Sequence, residues 1–272
     1  MRRLDLSART DLPVPVEVLS ELVRRAANAN VRVLLVGAAA RDLVVHAPRE
    51  VVAKRATEDV DVAIAVTGQG EIDEFVRGLN RVGRSEHKFL LFGLEVDVVP
   101  FGSIEKNRKI TFPDDHELDV TGLMEASKTA VAVTLPGNVR IHVAALPAQA
   151  ALKVLAWRDR RYTSTRKDAS DLAEILLASS EGPYGEATWE DDESLDATDA
   201  DIVAAGAYRT GRLAAEPFSD HDAGSVLAVL DDPPSREALV RDMRTVLATV
   251  LVEAFHAGFL TTVTRQRSNR DP

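Results

Sequence analysis

The residues best suited to chemistry are Arg55, Thr57, Asp59 and Asp61, which alternate along the segment Arg-Ala-Thr-Glu-Asp-Val-Asp. Five apolar residues follow directly, and they predict that the segment is the start of a strand. Because side chains alternate across a strand, these four would share one face. Two carboxylates two positions apart lie roughly 6–7 Å apart along the backbone, close enough to share one Mg²⁺ ion or to bracket two ions about 3.5–4 Å apart. The segment therefore predicts a metal-dependent enzyme that acts on a nucleotide.

A third acid, Asp97, lies inside an apolar segment at residues 94–99, where an unpaired charge costs several kcal/mol. If this segment is a strand beside the first one, Asp97 completes a cluster of three carboxylates. It would act as the general base that accepts the proton of an attacking hydroxyl, or as a further metal ligand, with Glu95 as the alternative on the same face. Two structural explanations stay open. Asp59 and Asp61 could cap a turn or pair with an arginine, and Asp97 could face solvent from an edge strand.

Phosphate binding is indicated where a strand at residues 31–36 meets Gly37 and a helix that begins at Ala38. The free N–H groups and the dipole of a helix N-terminus favour an anion at such a junction. The same junction also occurs in α/β proteins that bind no phosphate. Its weight here comes from the acidic strand that follows it.

The segment at residues 153–167 is basic, with six Lys or Arg residues and one acid, although the net charge of the chain is −10. Lys153 could neutralise a triphosphate, and the arginines could meet the phosphates of a larger substrate. Asp168 could hold Lys153 or Arg160 in place, or it could only complement a helix dipole. The whole segment could equally be a solvated helix face.

The composition narrows the class of protein. No stretch approaches the ~20 apolar residues of a membrane helix, and no apolar run follows the basic N-terminus as a secretory signal requires. The absence of cysteine excludes disulfides, thiolate metal sites and a cysteine nucleophile. A cytoplasmic protein that does not act at a membrane is therefore expected.

The pattern of elements predicts an α+β fold with two domains. Residues 1–146 would form a catalytic domain, a mixed sheet flanked by helices, and residues 147–272 a helical C-terminal domain. The predicted strands are residues 31–36, 55–66, 87–92, 94–99 and 139–143, with a hairpin at Gly93 and with Pro100 ending the fourth strand. The predicted helices are residues 14–30, 38–45, 71–79, 148–157, 166–178, 201–213 and 236–255, and the acidic residues 182–199 are expected to form a flexible connection.

Several of these residues together form a recognisable pattern: Gly37 after a strand, then Arg55-x-Thr57-x-Asp59-x-Asp61, then Asp97 on a later strand. The pattern resembles the nucleotidyltransferase superfamily with the DNA polymerase beta-type fold. Within that superfamily, Lys153 and the motif Lys167-Asp168-x-x-Asp171 are most similar to the AbiEii and MenT-type toxins. The resemblance covers about residues 31–178.

The resemblance implies an enzyme that binds a nucleoside triphosphate with Mg²⁺ or Mn²⁺ and transfers the nucleoside monophosphate to an acceptor hydroxyl, in several members the 3′ end of tRNA. It implies that Asp59, Asp61 and Asp97 are metal ligands and catalytic residues, and that Lys153 is a fourth catalytic residue. The residues implied in nucleotide binding are Gly37, Ala38, Arg55, Thr57, Lys153 and Asp168. For a toxin of this kind, a cognate antitoxin is a further expected partner.

Two departures from the family pattern affect the interpretation. Gly37-Ala38 replaces the usual Gly-Ser or Gly-Gly, which leaves only backbone donors for a phosphate, and the interval from Gly37 to Asp59 is longer than usual. The stretch from Gly37 to Asp42 also resembles the Gly-Gly-x-x-Arg-Asp opening of CCA-adding enzymes, although no later RNA-binding part is recognisable. The alternative functions are a small-molecule nucleotidyltransferase of the aminoglycoside type and a non-catalytic NTP-binding partner module.

Overall fold

The computed structural model describes residues 3–51, 59–112, 117–162 and 166–269. Contacts divide the chain into two compact units, Met1–Ala145 and Leu146–Pro272. The described part of the first unit is a mixed sheet with helices, and the described part of the second consists of helices and their connections. The predicted α+β class, with its mixed sheet and C-terminal helical region, is confirmed.

In the part of the first unit that the structure describes, the sheet has eight strands in the order β1-β9-β10-β2-β3-β6-β5-β4. β3 pairs in parallel with β6, and each of these two strands has an antiparallel neighbour on its other side, β2 and β5 respectively. A separate hairpin pairs β7 with β8. The strands are β1 (Arg3–Asp5), β2 (Arg32–Leu35), β3 (Asp59–Val66), β4 (Asn80–Arg81), β5 (Lys88–Leu91), β6 (Leu94–Gly102), β7 (Lys109–Thr111), β8 (Glu117–Asp119), β9 (Val131–Leu135) and β10 (Val139–Val143).

The alternation of side chains in β3 explains why this strand lies near the middle of the sheet. Val60, Val62 and Ile64 are fully buried on one face, and each contributes roughly 1.5–3 kcal/mol through the burial of apolar surface. The other face begins with Asp59 and Asp61, which are only partly buried. The strand predicted at residues 55–66 is described from Asp59 onward, so Arg55 and Thr57 lie outside the described residues.

β6 continues past the predicted end at Pro100 and finishes at Gly102. The N–H of Val98 donates to the carbonyl of His87, next to the start of β5. The backbone nitrogen of Pro100 lies on the same side of β6 two residues later, level with a position that precedes the start of β5 at Lys88. A missing N–H therefore costs no sheet hydrogen bond, and the prediction that Pro100 ends the strand is wrong for this reason.

The described residues of the first unit include four α-helices, of which α1 packs with the buried stripe Val18, Leu19, Leu22 and Ala26. The chain leaves α2 through a π-helical turn at Asp42–His46 and a 3₁₀ turn at Ala47–Arg49, where the sequence predicted a continuous helix and then a loop. The helices of this unit are α1 (Val16–Asn28), α2 (Gly37–Arg41), α3 (Gln69–Val76) and α4 (Leu123–Lys128).

The second unit corrects two predictions. The acidic residues 182–199 include two helices, α7 and α8, because Asp191 caps α8 by accepting from the N–H of Ser194 and also pairs with Arg209 and Arg212. The helix predicted at residues 236–255 is interrupted at Arg244, which has a left-handed backbone with φ of 54°. The helices are α5 (Leu146–Arg160), α6 (Lys167–Ala178), α7 (Gly182–Trp189), α8 (Asp192–Asp196), α9 (Ile202–Ala215), α10 (Asp220–Leu230), α11 (Pro233–Met243) and α12 (Ala248–Ser268).

Helices α9 and α12 approach closely through glycines. A Cβ added at Gly211 would lie 2.1 Å from the carbonyl oxygen of Phe255, and one added at Gly258 would lie 2.0 Å from that of Tyr208. The two glycines therefore set the distance between these helices. Among the described residues, no helix is both long and apolar enough to cross a membrane.

Candidate active site

The parallel pairing of β3 with β6 brings the predicted acids together. Asp59 is directly opposite Glu95, and Asp61 is directly opposite Asp97. Neighbouring strands lie about 4.8 Å apart, and directly opposed residues point to the same face. Four carboxylates thus form two adjacent rows on the partly exposed face of the sheet. The pairing of β3 with β6 thus places the backbones of Asp59, Asp61 and Asp97 next to one another, as the sequence predicts.

Among the described residues, Lys88 of β5 places a cation on this face, and it is not one of the predicted site residues. Residue 88 is directly opposite residue 97 in the antiparallel pair of β5 and β6. The Lys88 Nζ lies 2.9 Å from Asp97 Oδ1 and 2.8 Å from Oδ2, so it donates to both carboxylate oxygens. The two side chains are 33% and 16% exposed, which shields the pair partly from water.

The acids around Lys88 change its pKa. Burial lowers the pKa of Lys88, but its hydrogen bond to Asp97 and the charges of Asp97, Glu95 and Asp59 outweigh burial, and the net pKa is raised above its ordinary 10.5. The ammonium is therefore charged throughout the physiological pH range.

Gly37 packs directly against Asp61. It has a φ of 68°, in the left-handed region that favours glycine, and a Cβ added to it would lie 1.9 Å from Asp61 Oδ2. The backbone N–H of Val36 also donates to the carbonyl oxygen of Asp61 at 3.0 Å. The junction between β2 and α2 is thus fixed against the acidic strand, and only glycine fits at its closest point. Ala38 follows in the first turn of α2.

The Arg-Asp pair that follows this junction is part of the first unit's interior. Asp42 is 3% exposed, its Oδ1 accepts from the Arg41 guanidinium at 3.3 Å, and the same oxygen lies 3.0 Å from His46 Nδ1. These contacts hold the π-helical turn together. They explain the position of Arg41 and Asp42 by packing and charge pairing within the fold.

Carboxylates such as those on this face are the donors that a hard divalent ion prefers. Asp59 and Asp61 supply a pair of carboxylates, and Mg²⁺ in nucleotide enzymes is commonly bound by one or two carboxylates together with substrate phosphates. Both oxygens of Asp97 accept from the Lys88 ammonium. Within residues 3–51, 59–112, 117–162 and 166–269, no group of three or more His, Cys, Asp or Glu side chains is arranged to hold a metal. The metal role of the three aspartates stays a prediction.

Lys153 and Asp168 belong to the second unit, where they form a local charge network. The Lys153 Nζ lies 3.1 Å from Asp168 Oδ1 and 2.6 Å from Asp171 Oδ2, and Arg160 reaches the same Asp168 oxygen at 2.8 Å. Lys153 is 13% exposed and the two carboxylates are 6% and 8% exposed. Asp168 therefore contacts both Lys153 and Arg160, the two residues that the sequence suggested as its partners. This network links α5 to α6.

No protein-family model matches the chain, and no curated protein matches it either. Among solved structures, it is similar to the crystal structure of an antigenic nucleotidyltransferase-like protein from Paracoccidioides brasiliensis, with 18% sequence identity and a TM-score of 0.42. The match covers 74% of this chain and 94% of that protein. A TM-score this low supports no conclusion about fold or activity.

Proposed function

We propose that the protein is a divalent-metal-dependent nucleotidyltransferase that moves a nucleoside monophosphate from an NTP to an acceptor hydroxyl. The observation that carries the proposal is the register of β3 and β6, which aligns Asp59 and Asp61 beside Glu95 and Asp97 on a partly exposed face. Asp is disfavoured in strands, and four acids on adjacent rows repel one another. Such an arrangement loses stability unless cations compensate the charges, and Lys88, which pairs with Asp97, supplies only one of them.

The residues of the first unit have distinct parts in this proposal. Asp59 and Asp61 would hold the ion, and Gly37 and Ala38 would offer backbone N–H groups to the phosphates. When bound, the ion would neutralise phosphate charge that develops as pyrophosphate leaves. Asp97, held by Lys88, would accept the proton of the attacking hydroxyl. Lys153 and Asp168 of the second unit stay proposed nucleotide-side residues.

The acceptor is the second element of the proposal. The toxin-like motifs suggest the 3′ end of tRNA, but the basic segment meant to bind RNA is largely paired within its own unit. Arg158 lies 2.7 Å from Asp159, and Arg166 lies 3.2 Å from Asp242. Since phosphate binding depends on unneutralised positive charge, these pairs favour a small hydroxylated acceptor as the second candidate.

The test is transfer of label from each of the four α-³²P-labelled NTPs, with Mg²⁺, to total tRNA and in parallel to hydroxylated small molecules such as aminoglycosides. We expect label on one acceptor class, and expect Asp59→Asn and Asp61→Asn to lower the rate by more than about 100-fold. Asp73→Asn is the matched control, because Asp73 is an exposed acid of α3 that accepts from Gln69.

Two outcomes would overturn the proposal. One is the absence of both pyrophosphate release and label transfer with every NTP and acceptor. If NTP binding is still present in that case and is unchanged by the Asp59 and Asp61 substitutions, the protein belongs to the non-catalytic NTP-binding modules. The other is turnover that survives both substitutions, which would place the chemistry elsewhere in the chain.

A further inference from the structure

Four neighbouring strands of the sheet are basic, although the chain has a net charge of −10. In sheet order they are β1, β9, β10 and β2, and β2 adjoins the acidic strand β3. Their titratable residues are three arginines, one histidine and one aspartate. The name basic face is used below for Arg3, Arg32, Thr134, Arg140 and His142, four of these residues and one hydroxyl between them.

Two of the arginines lie side by side. His142 of β10 is directly opposite Leu34 of β2, and the two strands are parallel. Two residues earlier on both strands, Arg140 is therefore beside Arg32, on strands about 4.8 Å apart. Both side chains are exposed. Because neighbouring like charges repel, this arrangement loses stability unless an anion compensates the charges.

The other members of the basic face offer donors of the same kind. Arg140 is directly opposite Thr134 of β9, so the hydroxyl shares its face. Arg3 of β1 is exposed, and the registers of β1, β9 and β10 put it in one row with His142. Burial, and then the charge of Arg32, lower the pKa of His142, so its imidazole is uncharged at neutral pH and has one N–H to donate. Arginines, hydroxyls and N–H groups are what proteins use to contact phosphate oxygens.

The positive charge of the basic face is not neutralised by neighbouring acids. Within the part of the chain that the structure describes, none of its three arginines forms an ion pair or a hydrogen bond. Asp5, the one acid of the four strands, accepts from the backbone N–H of Ser7 at 2.9 Å. Residues 153–167 of the second unit, by contrast, are largely paired with acids. The basic face therefore keeps the unneutralised charge that phosphate binding requires.

The basic face is a different surface from the candidate active site. Arg32 is directly opposite Ala65, which lies four residues after Asp61 and about 13 Å further along β3. Leu34 and Ala63, which lie between the two surfaces, are fully buried. A ligand can therefore bind the basic face without occupying the acidic one.

We propose that the basic face binds the phosphodiester backbone of RNA without reading its sequence. The forks of the arginines and the hydroxyl of Thr134 match phosphate oxygens, and an open row of strands suits an extended polyanion that several arginines contact at once. Among the described residues, the large exposed apolar side chains lie outside these four strands, so the face offers nothing to insert into a lipid bilayer or to stack on a base. The inference rests on the proposed function only in taking RNA as the acceptor, because the binding itself needs neither NTP nor metal.

The test is binding of a fluorescently labelled oligouridine to the full-length protein, in EDTA and without NTP, at several salt concentrations. Three phosphate contacts predict that log K falls against log salt with a slope of about −2. Arg32→Gln and Arg140→Gln should each weaken binding about fivefold at about 0.1 M salt and make the slope shallower by about 0.7. Arg81→Gln is the matched control, because Arg81 is an exposed arginine of β4 in the same sheet that already pairs with Glu86 at 2.7 Å.

Two further measurements keep the inference testable. Arg32→Lys retains the charge and should keep the slope of the wild type, which separates a loss of charge from a loss of fold. The wild-type slope tests the number of contacts even if a variant does not fold. Mn²⁺-dependent NTP binding should be the same in Arg32→Gln as in the wild type.

Three outcomes would overturn the inference: no binding of oligouridine at low salt, a slope near zero, or equal affinity in the wild type, Arg32→Gln and Arg140→Gln. Tighter binding to vesicles of phosphatidylserine and phosphatidylcholine, lost in the same variants, would also overturn it and assign the face to an anionic membrane surface. Each of these results leaves nucleotidyl transfer to a small acceptor intact. Oligouridine binding without any NTP binding would overturn the proposed function alone.

Discussion

The contact between Gly37 and Asp61 gives the sharpest prediction about the site. Gly37→Ala places a Cβ 1.9 Å from Asp61 Oδ2, 2.8 Å from its Cγ and 3.0 Å from its Cβ. Rotation of the carboxylate alone does not relieve the contact with Cγ, so Asp61 must leave its rotamer or the strand must shift. The substitution also puts an L side chain at a φ of 68°.

Two contributions add up to the expected loss of stability. The left-handed backbone costs about 1–2 kcal/mol for a residue with a Cβ, and the displaced Asp61 side chain costs about 0.5–1.5 kcal/mol more. We therefore expect Gly37→Ala to lower the free energy of unfolding by about 1.5–3.5 kcal/mol, and to weaken Mn²⁺ binding because Asp61 is moved.

The assay is urea unfolding followed by circular dichroism, together with hydrogen exchange of the β3 amides and a Mn²⁺ titration. Gly137→Ala is the matched control, because Gly137 has a φ of 71° in the same unit and a Cβ there would meet no atom within 4 Å. It should show the backbone cost alone, with unchanged Mn²⁺ affinity. Equal losses in the two variants, with Mn²⁺ affinity retained in both, would refute the conclusion that Gly37 is fixed against Asp61.

Three further predictions concern stability. Lys153→Met leaves the carboxylates of Asp168 and Asp171 buried without their shared ammonium, so urea unfolding should show a loss of about 3 kcal/mol in the free energy of unfolding. Arg160→Met should lose less than about 1 kcal/mol, because the Arg160 side chain is 56% exposed. Similar losses in the two variants would contradict this prediction. Gly258→Ala forces a Cβ to within 2.0 Å of the Tyr208 carbonyl oxygen and should lower the free energy of unfolding by about 2–3 kcal/mol. Gly224→Ala in α10, where a Cβ has open space around it, should raise that free energy by up to about 1 kcal/mol. A neutral Gly258→Ala would argue against close packing of α9 and α12. Burial, and then the charge of Arg32, lower the pKa of His142 below its ordinary 6.5, so the unfolded chain binds the proton first and stability is lost as pH falls through 6.5 towards the lower folded value. Unfolding free energies measured from about pH 7 to 5 should therefore fall less steeply in His142→Asn than in the wild type or in His221→Asn, and parallel curves would contradict the assignment.

Much of the first unit follows from local patterns. The apolar run after Asp61 predicts β3, and the hairpin at Gly93 is confirmed as β5 and β6. The position of Lys88 was also available from the sequence. A two-residue turn that opposes Leu91 to Leu94 also opposes residue 88 to residue 97. Counting back through the turn from Asp97 therefore reaches Lys88.

Other features depend on contacts that are distant in sequence. The parallel register that places Asp61 beside Asp97 is set by burial of both strands, and no local signal fixes it. The acidic residues 182–199 suggested a flexible connection because they have no cation nearby in sequence. Their partners, Arg209, Arg212 and Arg265, come from later helices, so the ordering of α7 and α8 could not be predicted from that segment alone.

The break at Arg244 has a different cause. The apolar positions on both sides of it keep a helical spacing, so periodicity predicts one helix. A single residue in the left-handed conformation ends α11, and nothing in an arginine side chain indicates that conformation.

The central claim is that Asp59 and Asp61 hold the divalent ion that accompanies a nucleoside triphosphate. Its most direct test is calorimetric binding of each NTP in the presence and absence of Mn²⁺, with wild type, Asp59→Asn, Asp61→Asn and the Asp73→Asn control. We predict Mn²⁺-dependent binding of at least one NTP that both site variants weaken by about tenfold or more and that the control retains. NTP binding that is equally tight without Mn²⁺, or in both site variants, would contradict the account.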